Sequence, residues 1–219
     1  MGVLFAMSVF VLSHIVISRS TLKPSLIARI GRTGYLVVYS VQSLALLSWV
    51  VLEVVWAERV VLWDMPSWAS EFAAFFSLSG FILIGVGAIS RNPLSVGFQQ
   101  SPFDASRPGA IGWVRHPILW GFVCWGVAHI PANGEWPTLI LFAGSAVFGL
   151  LGVRGVEARL KLKFGEEEWS RLTAGQGHID SAAIFGSILG VILWIVLLWV
   201  HPYFAGVDPL AHLFNLSQN

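Results

Sequence analysis

The sequence predicts an all-α fold, a polytopic membrane helical bundle of about six transmembrane helices with an amphipathic helix at one face. Three observations carry this expectation. The chain is 56% hydrophobic and only 11% charged, whereas soluble domains carry roughly a quarter charged residues. Apolar runs recur along its whole length. Its cations collect in alternate loops.

The apolar runs place six spans: Leu4 to Ile17, Tyr35 to Val55, Phe72 to Ile89, Ile118 to Ile130, Pro137 to Val153, and Ala183 to Val200. A crossing takes ~20 apolar residues, so the first and fourth are short unless their flanks contribute. The first is no ordinary signal peptide, because Arg19, Lys23, Arg29 and Arg32 follow the apolar run instead of preceding it. Tryptophans cluster toward segment ends (Trp49, Trp56, Trp63, Trp68, Trp113, Trp136, Trp199), as interfacial belts require.

Two connections carry helices of their own. Thr21 to Ile30 has Pro24 near its start and Leu22, Leu26, Ile27 and Ile30 at helical spacing, which predicts a short interfacial helix. Val153 to Thr173 alternates charges and sets Glu157 four residues before Lys161, which predicts a separate cytoplasmic amphipathic helix. Glu166, Glu167 and Glu168 read as its solvated face. In the last span Gly186 and Gly190 form a Gly-x-x-x-Gly, which admits a neighbouring helix at close range. Residues 1–219 read as a single domain, with no repeat or low-complexity tract.

Charge sets the orientation. Of 13 Lys and Arg, only Arg59 falls outside the first, third and fifth loops, and it lies among Glu53, Glu58, Asp64 and Glu71. The positive-inside rule then places the three basic loops in the cytoplasm and both termini outside. The lipid bilayer is the first partner implied. A net charge of +1 with no basic stripe argues against nucleic acid. The one cysteine, Cys124, excludes disulfides within the chain, cysteine-rich metal sites and a Cys-x-x-Cys-His haem attachment.

The residues with chemistry stand at the ends of the fourth span. Arg115-His116-Pro117 opens it: Pro117 suits the first helical turn, which puts His116 at the N-cap with a cation just before it. His129 closes it, before an Asn133-Gly134 turn. Thirteen residues of helix separate the two imidazoles by ~20 Å, too far to ligate one metal. His14 lies near the cytoplasmic end of the first span, so depth pairs it with His116 in preference to His129. Each of the three is a candidate metal ligand, since ionisable groups at membrane depth are costly and mark ligand or cofactor sites. Plainer roles stand beside these: His14 packed and hydrogen-bonded to a carbonyl, His116 as a helix cap, His129 capped or solvated. Glu157 either joins Arg115 and His116 in an ionisable cluster or pairs on the surface with Lys161.

These residues resemble the NnrU family of bacterial membrane proteins. The resemblance runs from about His14 to Thr173 and rests on His14…Ser18-Arg19, Arg29-Ile30-Gly31…Tyr35…Tyr39-Ser40, Arg115-His116-Pro117-Ile118-Leu119-Trp120-Gly121, and Ala128-His129…Asn133-Gly134. It implies haem b held by histidine, with a role in nitrogen-oxide respiration or a related redox or isomerase process alongside a respiratory enzyme or redox partner. The chain is also similar to zeta-carotene isomerase, a haem b protein. That likeness implies ligand roles for His14 and His129, although Gly126 stands where the isomerase has cysteine and Phe122 where it has glutamine. Arg115 would meet a haem propionate.

A second likeness is to membrane methyltransferases of isoprenylcysteine and small thiols. Their Arg-His-Pro motif looks like Arg115-His116-Pro117, and their later Glu…Phe-Gly…Tyr-x-x-Arg looks like Glu157…Phe164-Gly165…Trp169-Ser170-Arg171. It implies S-adenosylmethionine held by Arg115, His116 and Glu157. Ala110, Ile111, Gly112 and Leu119 depart from the proline, tyrosine, basic residue and second tyrosine of that motif.

Overall fold

A computed structural model describes residues 1–19, 22–98 and 102–213, and within them the side chains of all but Ser18, Arg19 and His212. Thr21, where the sequence begins the interfacial helix, lies outside the described residues, as do the Ser18 and Arg19 side chains. The fold is all-helical, as predicted. Its elements are α1 (Gly2–Arg19), α2 (Leu22–Trp56), α3 (Ala69–Ile89), a 3-10 turn (Gly109–Gly112), α4 (Pro117–His129), α5 (Trp136–Phe164), α6 (Glu166–Thr173), α7 (Ser181–Ala205) and α8 (Pro209–Leu213). Among the described residues Val61 and Glu135 form an isolated antiparallel β-bridge.

Four helices, α2, α3, α5 and α7, are long and apolar enough to cross a membrane, and α1 and α4 are shorter apolar helices. That refines the expectation of six full spans. The 13 residues of α4 rise only ~20 Å, against a hydrocarbon core of ~30 Å. The segment predicted to be interfacial survives as the first part of α2. Gly31, at φ 72°, breaks the helix after it. A side chain at that angle would be strained, so glycine suits the kink.

The separate cytoplasmic helix is corrected. Helix α5 runs unbroken for 29 residues, so the fifth span and the segment holding Glu157 are one rod. Helical spacing continues past the point where hydropathy falls, and the first true stop is Gly165, at φ 77°. Helix α6 follows it. Trp169 is buried there, Glu166 and Glu167 face solvent, and Glu168 pairs with Arg171 at 2.6 Å.

The chain forms two compact units, 1–64 with 134–144 and 65–133 with 145–219. In the first, α1 packs along α2. The chain after α2 meets the start of α5: the N–H groups of Leu62 and Trp63 donate to the Gly134 carbonyl at 2.7 and 3.2 Å, and Trp136 N–H donates to the Val60 carbonyl at 2.9 Å. Arg59 reaches Glu135 at 3.3 Å in the same junction. The end of α2 and the beginning of α5 therefore lie together.

In the second unit α3 packs against both α4 and α7. Small residues make this possible. A Cβ on Gly186 would meet the Val86 backbone, and one on Gly190 would meet the Phe81 carbonyl and Ile82 Cα. From the other side, a Cβ on Gly85 would meet Gly186 and Gly190. The predicted Gly-x-x-x-Gly is thus a contact surface, and its partner is α3. Gly80 and Gly121 make the corresponding approach between α3 and α4. Apolar lipid gives helices little reason to associate beyond close packing, so such small-residue faces carry the assembly.

Candidate functional site

The second unit gathers Arg115, His116 and Glu157. Residues 90–116 lead from α3 to α4, and Asn92, fully buried, holds this segment in place. Its Nδ2 donates to the Arg115 carbonyl at 2.8 Å while its Oδ1 accepts from Leu94 N–H at 3.0 Å. Pro117 then starts α4, and His116 is its N-cap residue by position. The His116 ring makes no capping hydrogen bond. It turns to the side chains around it, so the capping role is replaced by membership of a cluster.

Glu157, on α5, takes Arg115 Nη1 at 2.6 Å and His116 Nε2 at 3.3 Å on the same oxygen. Of the two arrangements open in the sequence, the cluster is the one formed. Lys161 lies over the Trp169 ring at 5.8 Å, and the Arg115 guanidinium lies over that ring at 5.3 Å. A carboxylate can only accept, so His116 Nε2 carries the proton. Nδ1 is then the lone-pair nitrogen, and the Ser95 hydroxyl donates to it at 2.8 Å.

The His116 side chain is 2% exposed. Burial pushes its pKa below the ordinary value, Glu157 opposes this, and the Arg115 charge adds to the lowering. The folded state therefore holds a neutral ring where the unfolded chain, titrating near ~6.5, takes up a proton. Stability contributed by the neutral ring is present above that value and is lost as pH falls below it. The thermal midpoint of the wild type is expected to drop more between pH 7.5 and 5.5 than that of His116→Gln. Equal drops would show that His116 does not titrate differently in the two states.

Asn92 and Ser95 went unremarked in the sequence. The available signal was Asn92-Pro93, a turn dipeptide that marks a fixed loop. Asn92→Ala strands the Leu94 N–H and Arg115 carbonyl in a buried place. A loss of about 1–3 kcal/mol is expected in denaturant or thermal unfolding. A loss below a few tenths would mean that this loop is not held by Asn92.

The cluster borders an open cavity of about 500 Å³, whose walls include Trp113, Arg115, His116, Trp120, Cys124 and Glu157. His129 stands at the far end of α4, as its spacing predicts. Its Nδ1–H donates to the Trp125 carbonyl at 2.8 Å, which leaves the lone pair on Nε2. Asn133 Nδ2 donates to the His129 carbonyl at 2.8 Å and closes the helix end.

His14 belongs to the first unit and is buried there. Its Nδ1–H donates to the Phe10 carbonyl at 2.6 Å, and Nε2 lies 2.9 Å from the Ser43 hydroxyl. That hydroxyl is also 2.8 Å from the Tyr39 carbonyl, so its single proton has two acceptors within reach. His14 and His129 thus share one tautomer, set by the carbonyl four residues back, and His116 has the other. His201 Nδ1 donates to the Val207 carbonyl at 2.9 Å, and the His178 N–H donates to the Gly109 carbonyl at 3.1 Å.

Among the described residues no group of three or more His, Cys, Asp or Glu side chains is arranged to hold a metal ion. No curated protein and no solved structure matches the chain. A family model described as NnrU protein matches residues 3–209. With nearly the whole chain matched, the protein belongs to the NnrU family.

Proposed function

We propose that this NnrU protein binds haem b through imidazole, with His129 and His14 each a candidate donor, and serves nitrogen-oxide respiration or a related redox process. The observation that carries this is the shared tautomer. An iron ligand must present an unprotonated ring nitrogen while its other nitrogen donates to a fixed acceptor. In His129 and His14 the Nδ1–H donates to a backbone carbonyl, which sets the unprotonated nitrogen at Nε2. Ligation by His116 Nε2 would cost its hydrogen bond to Glu157, and ligation by Nδ1 would displace Ser95. Ligation by His14 Nε2 would likewise displace the Ser43 hydroxyl.

A porphyrin brings four nitrogens of its own and asks the protein for one or two. When bound it would supply one-electron chemistry. The chain's residues would hold it and set its polarity. Arg115 remains a candidate for a propionate, in exchange for part of its pairing with Glu157. The basic loops favour a place in the bacterial cytoplasmic membrane with both termini periplasmic, and a respiratory enzyme or redox protein as partner.

The test is an absorption spectrum of the detergent-purified protein, oxidised and reduced, with haem supplied during expression. A stoichiometric Soret band that shifts on reduction is expected. It should be lost or altered in His129→Ala and in His14→Ala and retained in His116→Ala. The reverse pattern overturns the ligand assignment, and a featureless spectrum overturns haem.

One observation favours a second reading. Arg115, His116 and Glu157 do meet at a cavity, as the methyltransferase likeness implies for a site holding S-adenosylmethionine. Saturable binding of radiolabelled S-adenosylmethionine, abolished in Glu157→Ala, would move methyl transfer ahead of haem.

A further inference from the structure

The polar cavity does not end at its polar wall. A second open cavity of about 510 Å³ lies against it, and Leu83, Trp113 and Val114 line both. The first contains Arg115, His116 and Glu157. The second is almost wholly apolar and runs between α3 and α7, where Val86, Ala183, Ile184 and Ile188 form its sides. A cavity with charged walls that shares lining residues with an apolar groove has the form of a binding site for an amphiphile.

The charge at the polar end selects the head. The walls carry one cation, Arg115, and one carboxylate, Glu157. The Arg115 guanidinium lies over the Trp169 ring at 5.3 Å. A guanidinium with five donors, one of its nitrogens engaged by Glu157, keeps donors for another anion.

We propose that the joined cavities bind a membrane-derived amphiphile with one hydrocarbon chain and an anionic head. The head pairs with Arg115, and the chain lies in the groove between α3 and α7 past Trp113. This goes beyond the haem reading and does not rest on it: His129 and His14 line neither cavity, and the two readings compete only at Arg115. Glu157 competes with the head for Arg115 and so tunes how tightly it is held.

Parinaric acid, a fluorescent chain with a carboxylate, tests the proposal when titrated into the full-length protein in a non-ionic detergent. Saturable binding is expected, about tenfold weaker in Arg115→Gln, the size of one charge-assisted hydrogen bond. Glu157→Gln is expected to bind the acid more tightly, which mere damage to the fold would not do. The methyl ester should be indifferent to both changes. Ile184→Trp, at a half-exposed groove position, should weaken acid and ester alike.

A diazirine-bearing fatty acid gives a second readout in the wild type, with cross-links expected on groove residues of α3 and α7. Cross-links scattered over the outer faces, or binding untouched by Ile184→Trp, would mean ordinary surrounding lipid and overturn the proposal. Displacement of the acid by inorganic phosphate, with no dependence on the chain, would identify a soluble anion site and overturn it as well.

Discussion

Gly190→Leu is expected to separate α7 from α3 and to remove most of the folded protein. The Cβ alone would fall on the Phe81 carbonyl and Ile82 Cα, and these are backbone atoms that cannot rotate away. Overpacking a close contact costs about 1–3 kcal/mol even where side chains can adjust. Here the helix itself must move. In lipid no hydrophobic gain offsets the lost contact, because hydrocarbon already surrounds both helices.

The measurement is size-exclusion behaviour and the thermal midpoint in detergent, with Gly155→Ala alongside. Gly155 has nothing within 4 Å of its Cβ position. Replacing it relieves a glycine inside α5, for a gain of up to ~1 kcal/mol. A wild-type midpoint for Gly190→Leu would mean that the α3–α7 contact does not hold the protein together.

The small-residue face was legible because Gly-x-x-x-Gly is a spacing, and spacing is what a sequence displays directly. The helices were legible for the same reason. Their ends were less so. Hydropathy falls near Val153, where a membrane would end, but α5 continues to Phe164 because nothing before Gly165 stops a helix. Hydropathy reports the solvent and glycine reports the chain, and the two boundaries here lie about three turns apart.

In the site, Arg115, His116, His129 and Glu157 could be picked out from residue type and position alone. Their partners could not. Ser95 and Asn92 lie more than 20 residues before the groups they hold, at separations that no periodicity encodes. The tautomers were hidden too. They follow from which oxygen faces each ring: a carbonyl one turn back for His14 and His129, a carboxylate from another helix for His116. The first kind is implicit in any regular helix. The second needs the tertiary fold.

Glu157→Ala should be the most damaging single change to the polar cluster. It removes the acceptor of two hydrogen bonds at once, and one donor sits on a ring that is 2% exposed. A buried donor left without a partner costs about 1–3 kcal/mol. The Arg115 side chain is 34% exposed and can recover water, so its share belongs at the low end. Glu157→Gln keeps an acceptor oxygen and loses only the charge, and should recover part of the midpoint. Lys161→Ala provides the contrast. A surface pair between Glu157 and Lys161 would make Lys161→Ala and Glu157→Ala comparably mild, whereas the cluster makes Glu157→Ala severe and leaves Lys161→Ala with the loss of one exposed cation over Trp169. Thermal midpoints of the three variants at pH 7.5 decide between them. Equal, small shifts would mean that the cluster contributes nothing to holding α5 against the start of α4.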